Sequence, residues 1–126
     1  MRFFWQPFII LGFLLLGLGI GDRAFSLPLR LEEAAIASQL ESLPEWTREG
    51  QLLRREFVFG DFREAIAFVQ SLVEPVDDAG HHPDITISYN KVTLILTTHD
   101  VGGLTQLDLD VAELINQLFA DLPEEN

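Results

Sequence analysis

All three histidines of this chain, His81, His82 and His99, lie in the single stretch GHHPDITISYNKVTLILTTHD, residues 80–100. An imidazole gains and loses a proton near neutral pH, so it can act as an acid or a base, and its neutral form binds metal ions. The clustering therefore predicts one site that works by proton transfer or by metal binding.

Three interpretations of the histidine cluster are open on physical grounds. A histidine near the end of a strand is commonly a half-exposed, hydrogen-bonded residue without a chemical role. Three histidines can hold a catalytic zinc ion, although adjacent residues of a strand point to opposite sides and the chain has no HExxH spacing. Acid/base catalysis without a metal is the third interpretation. Asp77, Asp78 or Asp108 could then orient an imidazole, although capping of a helix is already a sufficient explanation for Asp108.

The segments around the histidines predict a β-hairpin. Residues 84–89 alternate between polar and apolar, residues 92–98 are rich in β-branched side chains, and only residues 90–91 lie between them. With those two residues as the turn, apolar residues face apolar residues and the ladder continues until His82 faces His99. A bend at the proline after His82, or a slip of one residue, would bring the preceding histidine opposite His99 instead.

The remainder of the chain predicts one small mixed domain. Helices are predicted where apolar residues recur at helical spacing, and strands where apolar or β-branched residues concentrate between turn residues. The predicted helices span about residues 29–43, 62–75 and 107–121, and the other two strands about 46–49 and 52–59. The order α-β-β-α-β-β-α favours an α+β fold, in which helices cover one face of a four-stranded antiparallel sheet.

The starts and ends of the helices carry their own signals. Residues 61–64 and 105–108 each have the spacing of a capping box, in which an N-cap residue is followed by an acid three positions later. Pro75 is expected to end or kink the second helix. The apolar stripe of that helix has helical spacing and consists of Phe62, Ile66, Val69 and Val73.

Composition excludes several classes of partner and cofactor. The chain has 126 residues, with 8 basic and 20 acidic side chains and a net charge of −12. Such a charge disfavours nucleic acid and anionic lipid surfaces as partners. The chain has no cysteine, so disulfide bonds, thiolate chemistry and cysteine-ligated zinc are excluded.

The N-terminal stretch predicts export from the cytoplasm. Residues 3–21 are uncharged, and Ala24 and Ser26 stand at the −3 and −1 positions of a signal-peptidase site. We therefore expect residues 1–26 to be a cleaved signal peptide or, if they are not cleaved, a membrane anchor. The domain then comprises residues 27–126 and lies in a periplasm, in a lumen or outside the cell. Contact with a membrane is expected only for the uncleaved form.

One long motif in the chain resembles the signature of a known family. Residues 77–108 read D-x-x-x-H-H-P-D-x-x-x-x-Y-N-K-V-x-x-x-L-x-T-H-D-x-G-G-L-T-x-x-D. This pattern is similar to that of the pterin-4a-carbinolamine dehydratases, and the likeness continues over roughly residues 31–121. The resemblance implies a small α/β domain with a four-stranded antiparallel sheet and helices on one side. It also implies homodimers or homotetramers that pair their sheets across subunits.

The resemblance further implies a reaction and the residues that perform it. Enzymes of this family are hydro-lyases that remove water from a small-molecule substrate, a 4a-hydroxytetrahydropterin, to give the quinonoid dihydropterin, with no metal and no organic cofactor. By position, His81, His82 and His99 match the family's active-site histidines, and Asp77 and Asp108 match its supporting acidic residues. The hydroxyl leaves only when it is protonated and N5 must lose a proton, so the reaction requires one acid and one base.

A second function is open on the same resemblance. Some relatives act as partner-binding proteins in transcription or in enzyme assembly, so a non-catalytic assembly role on the same fold is the alternative hypothesis. The enzyme requires the histidines, whereas an assembly role requires exposed surface on the first and last helices.

Overall fold

The computed structural model describes residues 26–123, and within them it has three α-helices and four β-strands in the predicted order. The elements are α1 Glu33–Leu40, β1 Thr47–Glu49, β2 Leu52–Val58, α2 Phe62–Ala79, β3 Asp84–Ser88, β4 Lys91–Leu96 and α3 Gln106–Ala120. A 3-10 turn, His99–Val101, connects β4 to α3. The strands form one antiparallel sheet, which confirms the predicted α+β fold.

The predicted signal peptide or anchor, residues 1–26, lies outside the described part of the chain except for its last residue. Among the helices of residues 26–123, none is both long enough and apolar enough to cross a bilayer. The domain boundary at residue 27 therefore stays a prediction.

The sheet has the strand order β1-β2-β4-β3, so β2 and β4 are central and β1 and β3 form the edges. Every second residue of the central strands points towards the helices, because side chains alternate between the two faces of a strand. These buried inward residues are Leu53, Phe57, Val92, Leu94 and Leu96. They form one core with Phe68 and Leu72 of α2 and Ile115 of α3, which holds the helices against the sheet.

The β3–β4 hairpin has a different register from the predicted one. Its turn consists of residues 89–90, so Ile87 pairs with Val92 rather than with Leu94. The predicted turn at residues 90–91 is therefore wrong, and each pairing partner shifts by two residues. Because the shift is even, apolar residues still meet apolar residues on the same face.

Hydrogen bonds to the neighbouring strand explain this turn. The Asn90 side-chain amide donates to the Phe59 carbonyl oxygen at 2.8 Å, and the Phe59 N–H donates to the Asn90 carbonyl oxygen at 2.8 Å. These bonds fix Asn90 beside the end of β2, while Tyr89 takes the left-handed backbone conformation with a φ of 53°. Contacts with a third strand therefore select the register, which a hairpin considered alone cannot reveal.

Helix α2 continues past Pro75 to Ala79, so of the two expectations for this proline, that it ends or kinks the helix, the first is wrong. Proline lacks the N–H that would bond to the Ser71 carbonyl oxygen, so one helical hydrogen bond is missing while the others persist. Gly80 ends the helix instead, in the left-handed conformation with a φ of 66°, which glycine adopts without steric cost. The additional turn carries Asp77 to the start of the linker that holds two of the histidines.

Both predicted helix caps are present, with one difference in detail. Asp61 accepts the Glu64 N–H at 2.9 Å, whereas the Glu64 carboxylate accepts the N–H of Gly60 at 2.7 Å and not that of Asp61. At α3, Thr105 and Asp108 form the predicted capping box. This box places the Asp108 carboxylate in the first turn of α3.

The apolar stripe of α2 faces outward. Phe62 and Val73 are each 53% exposed, and Ile66 is 38% exposed. The core side of the helix consists of Ala65, Phe68, Leu72 and Val76. The two sets of apolar residues lie side by side on the helix, and the sheet covers only one of them. Three of the four stripe residues are therefore left at the surface of the domain, whereas Val69 is half-buried and packs against the core.

Candidate active site

The three histidines meet at one end of the sheet. His81 and His82 lie in the linker between α2 and β3, and His99 begins the 3-10 turn after β4. An open cavity of about 250 Å³ is lined by these three residues and by Gly80, Thr97, Thr98 and Asp100. The structure therefore brings the three predicted histidines together.

The antiparallel pairing of β3 with β4 explains why the three histidines lie close together, although they do not face each other across the strands as predicted. Strand β3 begins beside the end of β4, so the linker that precedes β3 passes the turn that follows β4. In the observed register a continued ladder would place Thr97 opposite His82, so the predicted facing of His82 and His99 is wrong. The histidines converge through loops at the end of the sheet and not as a cross-strand pair.

His81 is largely buried and bonds to a buried carboxylate. Its Nε2 atom lies 2.6 Å from Oδ1 of Asp108, and the two side chains are 12% and 0% exposed. Asp108 stands in the first turn of α3, where the helix N-terminus favours a negative charge. An ionised carboxylate only accepts hydrogen bonds, so Nε2 of His81 donates and Nδ1 is the ring nitrogen left for proton exchange.

The second oxygen of Asp108 is held by two donors. Oδ2 accepts the Thr98 hydroxyl and the Thr105 N–H, each at 2.8 Å. The hydroxyl oxygens of Thr98 and Thr105 are themselves 2.8 Å apart. Neither threonine was predicted from the sequence as a site residue. The signals for them are weak, because one merely precedes His99 and the other begins a capping box.

His82 forms a second pair with Asp77. The His82 Nε2 and Asp77 Oδ1 atoms are 2.7 Å apart, and the side chains are 60% and 66% exposed. Asp77 lies in the last turn of α2, so the continuation of that helix past Pro75 brings the carboxylate to the linker. Water competes for both groups, so this pair is held less firmly than a buried one.

His99 and Asp78 have no comparable partner within residues 26–123. The His99 side chain is exposed and lines the cavity. Asp78 was the third carboxylate considered for orienting a ring, and it is exposed on α2 and takes part in neither histidine–carboxylate bond. Of the three candidate carboxylates, the structure therefore brings Asp77 and Asp108 to the histidines.

The geometry of the cluster suits proton transfer better than metal binding. Within residues 26–123, no three histidine, aspartate or glutamate side chains are placed so that they could bind one ion together. The cavity instead receives two imidazoles that are each paired with a carboxylate, and a third imidazole that is exposed. Such a set can donate and accept protons at a small ligand.

An apolar groove adjoins the histidine cavity. It has a volume of about 150 Å³ and lies between α2 and β3. The groove is lined by Val69, Leu72, Val73, Val76, Pro83 and Ile85, together with Asp77 and His82. His82 lines both cavities, so the apolar surface that begins at the stripe of α2 continues to an imidazole of the site.

Comparison with known proteins places these features in one family. A family model described as pterin 4 alpha carbinolamine dehydratase matches residues 29–118. A relative from Thermosynechococcus vestitus is 54% identical over 89 residues, which are 71% of this chain and 94% of the relative. A relative from Trichormus variabilis is 60% identical over 88 residues, which are 70% of this chain and 95% of the relative. Both relatives are provisionally named pterin-4-alpha-carbinolamine dehydratases.

A solved structure from Brucella melitensis shares the fold. It is described as a transcriptional coactivator/pterin dehydratase, and its similarity to this chain has a TM-score of 0.67 at 30% sequence identity. The match covers 71% of this chain and 98% of that protein. The family match over residues 29–118 contains the three histidines and both paired carboxylates.

Proposed function

The chain belongs to the pterin 4 alpha carbinolamine dehydratase family, and from this premise we propose that it removes water from a 4a-hydroxytetrahydropterin by acid/base catalysis. The products are the quinonoid dihydropterin and water. The observation that carries the proposal is the convergence of His81, His82 and His99 on one cavity, with two of them paired to carboxylates.

The elimination requires one proton donor and one proton acceptor. Protonation of the 4a-hydroxyl lets it leave as water when its C–O bond breaks, and loss of the N5 proton supplies the electron pair of the new C=N bond. An imidazole can fill either role near neutral pH. We therefore assign catalysis to His81, His82 and His99, supported by Asp77 and Asp108. The reaction is redox-neutral and proceeds by proton transfer, so the proposal includes no metal and no organic cofactor.

The direct test is the rate at which the full chain, purified in mild detergent, dehydrates a 4a-hydroxytetrahydropterin. We expect a rate that survives a strong chelator and falls about 10²- to 10⁴-fold in a His82→Ala, His99→Ala variant. Asp78→Ala is the matched control, because it removes an exposed carboxylate of α2 that lies outside both histidine pairs. A rate that is lost on chelation, or that is unchanged in the histidine variant, would contradict the proposal.

A partner-binding or assembly role is the second candidate function. The similar Brucella melitensis protein is described as a transcriptional coactivator as well as a pterin dehydratase. The sequence suggested the first and last helices as the surface for such a role, whereas the exposed apolar residues of the structure lie in the stripe of α2, which is the surface proposed for it here. Biological function that survives in the double histidine variant, but is lost when the stripe is made charged, would favour assembly over catalysis.

We also propose that the chain forms a homodimer or homotetramer, and that the apolar stripe of α2 is one interface in addition to the pairing of sheets that the family resemblance implies. Phe62 begins α2 and Val73 lies three turns further along the helix, so an antiparallel α2 of a second copy, centred between them, would bury each of them against the other. Arg63 and Glu74 carry opposite charges beside them and would meet in the same arrangement. Light scattering after size exclusion should show a smaller assembly for Val73→Glu than for the wild type. The wild-type assembly should persist in the control Ser71→Glu, which alters another side of the helix, and a Val73→Glu variant of wild-type size would contradict the proposal.

The N-terminal segment is proposed to export the domain or to anchor it in a membrane. The proposal is supported by the uncharged run of residues 3–21 and by Ala24 and Ser26 after it. Fusion of residues 1–30 to a reporter that works only after export should give an active reporter. A reporter found entirely in the cytosol would show that this segment is not an export signal.

A further inference from the structure

Thr98, Thr105 and Asp108 are the buried polar side chains of residues 26–123, and all three belong to one hydrogen-bonded group. Their exposed fractions are 5%, 0% and 0%. Burial of a polar group lowers stability unless the group is hydrogen-bonded, and within the described range no buried side-chain nitrogen or oxygen lacks a partner. The described chain thus buries polar side chains only beside the histidines, which points to a function for the group there.

The directions of these hydrogen bonds follow from the chemistry of the groups. An ionised carboxylate only accepts, so Thr98 donates its single hydroxyl proton to Oδ2 of Asp108. Thr105 must then donate its own hydroxyl proton to Thr98, while its N–H donates to Oδ2. With two donors on Oδ2, Oδ1 is left for His81. The threonines therefore determine which way the carboxylate faces.

Thr98 also closes the loop that carries His99. Its N–H donates to the Gly103 carbonyl oxygen at 3.0 Å, and the Gly103 N–H donates back to the Thr98 carbonyl oxygen at 3.4 Å. Residues 98–103 consequently form a loop that is closed at its base, and His99 directly follows the closing residue. Thr98 therefore connects the loop that carries His99 with Asp108, the carboxylate that bonds to His81.

We infer that Thr98 is a positioning residue for both His81 and His99, an inference that rests on the proposed dehydratase function. The Thr98 hydroxyl holds His81 through Asp108, and the Thr98 backbone closes the loop that carries His99, so the side chain fixes His81 relative to that loop. Two imidazoles thereby keep a fixed relative position, on which the transfer of protons to and from one small ligand depends. His82, in contrast, bonds to an exposed carboxylate.

Thr98→Val tests the link between the His99 loop and the Asp108–His81 pair, because it keeps the branching of the side chain and the two backbone bonds that close the loop, and removes only the hydroxyl. In the full chain we expect kcat for dehydration to fall about 10- to 100-fold while KM changes less than about threefold, the scale expected when catalytic groups are misplaced. Thr98→Ser restores the hydroxyl and should restore most of the rate. The matched control is Thr93→Val, which lies on β4 outside the site and should leave the rate unchanged.

A second measurement does not depend on turnover. In protein labelled with ¹⁵N-histidine, the Nε2 proton of His81 should exchange slowly with water, because the ring is largely buried and bonds to Asp108. In Thr98→Val the exchange should be at least about tenfold faster, because the carboxylate loses one of its donors. Thr93→Val should exchange like the wild type.

The two measurements separate the positioning role from the proposed function. With an active wild type, slower turnover and faster exchange in Thr98→Val support the inference, and an unchanged rate or unchanged exchange overturns it. With an inactive wild type the dehydratase proposal fails, and exchange alone decides: faster exchange supports the positioning role and unchanged exchange overturns it. If Thr98→Val does not fold, Thr105→Val removes the donor to Thr98 and should accelerate exchange in the same direction.

Discussion

The two histidine–carboxylate pairs have almost the same hydrogen-bond length and very different surroundings. The distance is 2.6 Å for His81 and Asp108 and 2.7 Å for His82 and Asp77. The side chains of the first pair are 12% and 0% exposed, and those of the second are 60% and 66% exposed. Removing one partner of a buried pair leaves a costly unpaired group, whereas water and salt weaken an exposed pair.

This difference indicates separate tasks for the two imidazoles. Asp108 is held by two further donors and by the start of α3, so His81 is expected to keep one position when a ligand enters. His82 lies at the surface between the histidine cavity and the apolar groove, so its ring is able to adjust to a ligand. The two hydrogen-bond lengths are too similar to distinguish the pairs, whereas the exposed fractions of their side chains do distinguish them.

Removal of the Asp108 carboxylate should reveal the largest difference in stability between the buried pair and the exposed pair. Asp108→Ala leaves two threonine donors and the His81 ring without their acceptor, so the free energy of unfolding should fall by about 3 to 5 kcal/mol. Asp77→Ala removes an exposed carboxylate, and the loss should be less than about 1 kcal/mol. Urea denaturation measures both values. Equal losses would mean that burial does not distinguish the two pairs.

A smaller loss of stability is expected at the linker between α2 and β3, residues 80–83, which carries the histidine of each pair. Gly80 begins that linker with a φ of 66°, and an added β-carbon would meet no atom within 4 Å, so Gly80→Ala strains only the backbone. We expect a loss of about 1 to 2 kcal/mol in unfolding free energy. The dehydration rate should fall as well, because relief of the strain moves both histidines.

Gly50→Ala is the matched control for this linker variant. Its φ is 60°, and an added β-carbon there also meets no atom within 4 Å, so it should lower the unfolding free energy by a similar amount. Gly50 lies in the β1–β2 turn, so its substitution should leave the dehydration rate unchanged. A normal rate in Gly80→Ala would indicate that the linker does not position the pairs.

Coupling energies should sharpen the comparison further. In a double-mutant cycle, the coupling energy between Asp77 and His82 should be less than about 1 kcal/mol. Near 1 M salt this coupling energy should be smaller still, because the screening length there is about 3 Å. Asp108 and His81 should show a larger coupling that salt hardly changes. Unfolding free energies of the single and double alanine variants at low and high salt provide both values. The same salt dependence in both cycles would count against the distinction.

Much of this architecture could be predicted from the sequence because neighbouring residues decide it. The order of the elements follows from helical spacing and from runs of β-branched residues. The capping box of Thr105 and Asp108 follows from a four-residue pattern. The three histidines lie at the ends of predicted segments, so their convergence at one end of the sheet was accessible as well.

The features that escaped prediction depend on contacts between distant parts of the chain. The hairpin register is selected by the bond between Asn90 and Phe59, which are 31 residues apart. The outward direction of the apolar stripe is decided by which side of α2 the sheet covers. The role inferred for Thr98 arises from its bond to Asp108, which lies on another element. The spacing of the histidines in the sequence predicted where the site lies. The hydrogen bonds within the site could be identified only from the folded structure.

The smallest effect is expected at a surface ion pair with one exposed and one half-buried partner, which is not part of the site. Arg48 of β1 donates two hydrogen bonds to the Glu33 carboxylate of α1, at 2.6 and 2.8 Å. These bonds hold the pKa of Glu33 below its ordinary value of 4.5. Because the folded-state pKa is lowered, the stabilisation is present above the pKa of the unfolded chain and is lost as the pH falls through the lowered value.

Glu33→Gln should therefore lower Tm slightly near neutral pH, and the difference from the wild type should shrink as the pH falls below the ordinary glutamate pKa of 4.5 and through the lowered pKa of Glu33. Thermal denaturation across this range at low and high salt measures it. Glu33 is 74% exposed, as accessible to water as His82 and Asp77, although Arg48 is only 23% exposed, so the contribution of the pair should also shrink in salt. A Tm difference that persisted in acid would show that packing of the Glu33 side chain, and not its charge, stabilises the contact between α1 and β1. The exposed fraction of the side chains would then not suffice to predict how salt affects the stability contributed by the His82–Asp77 pair.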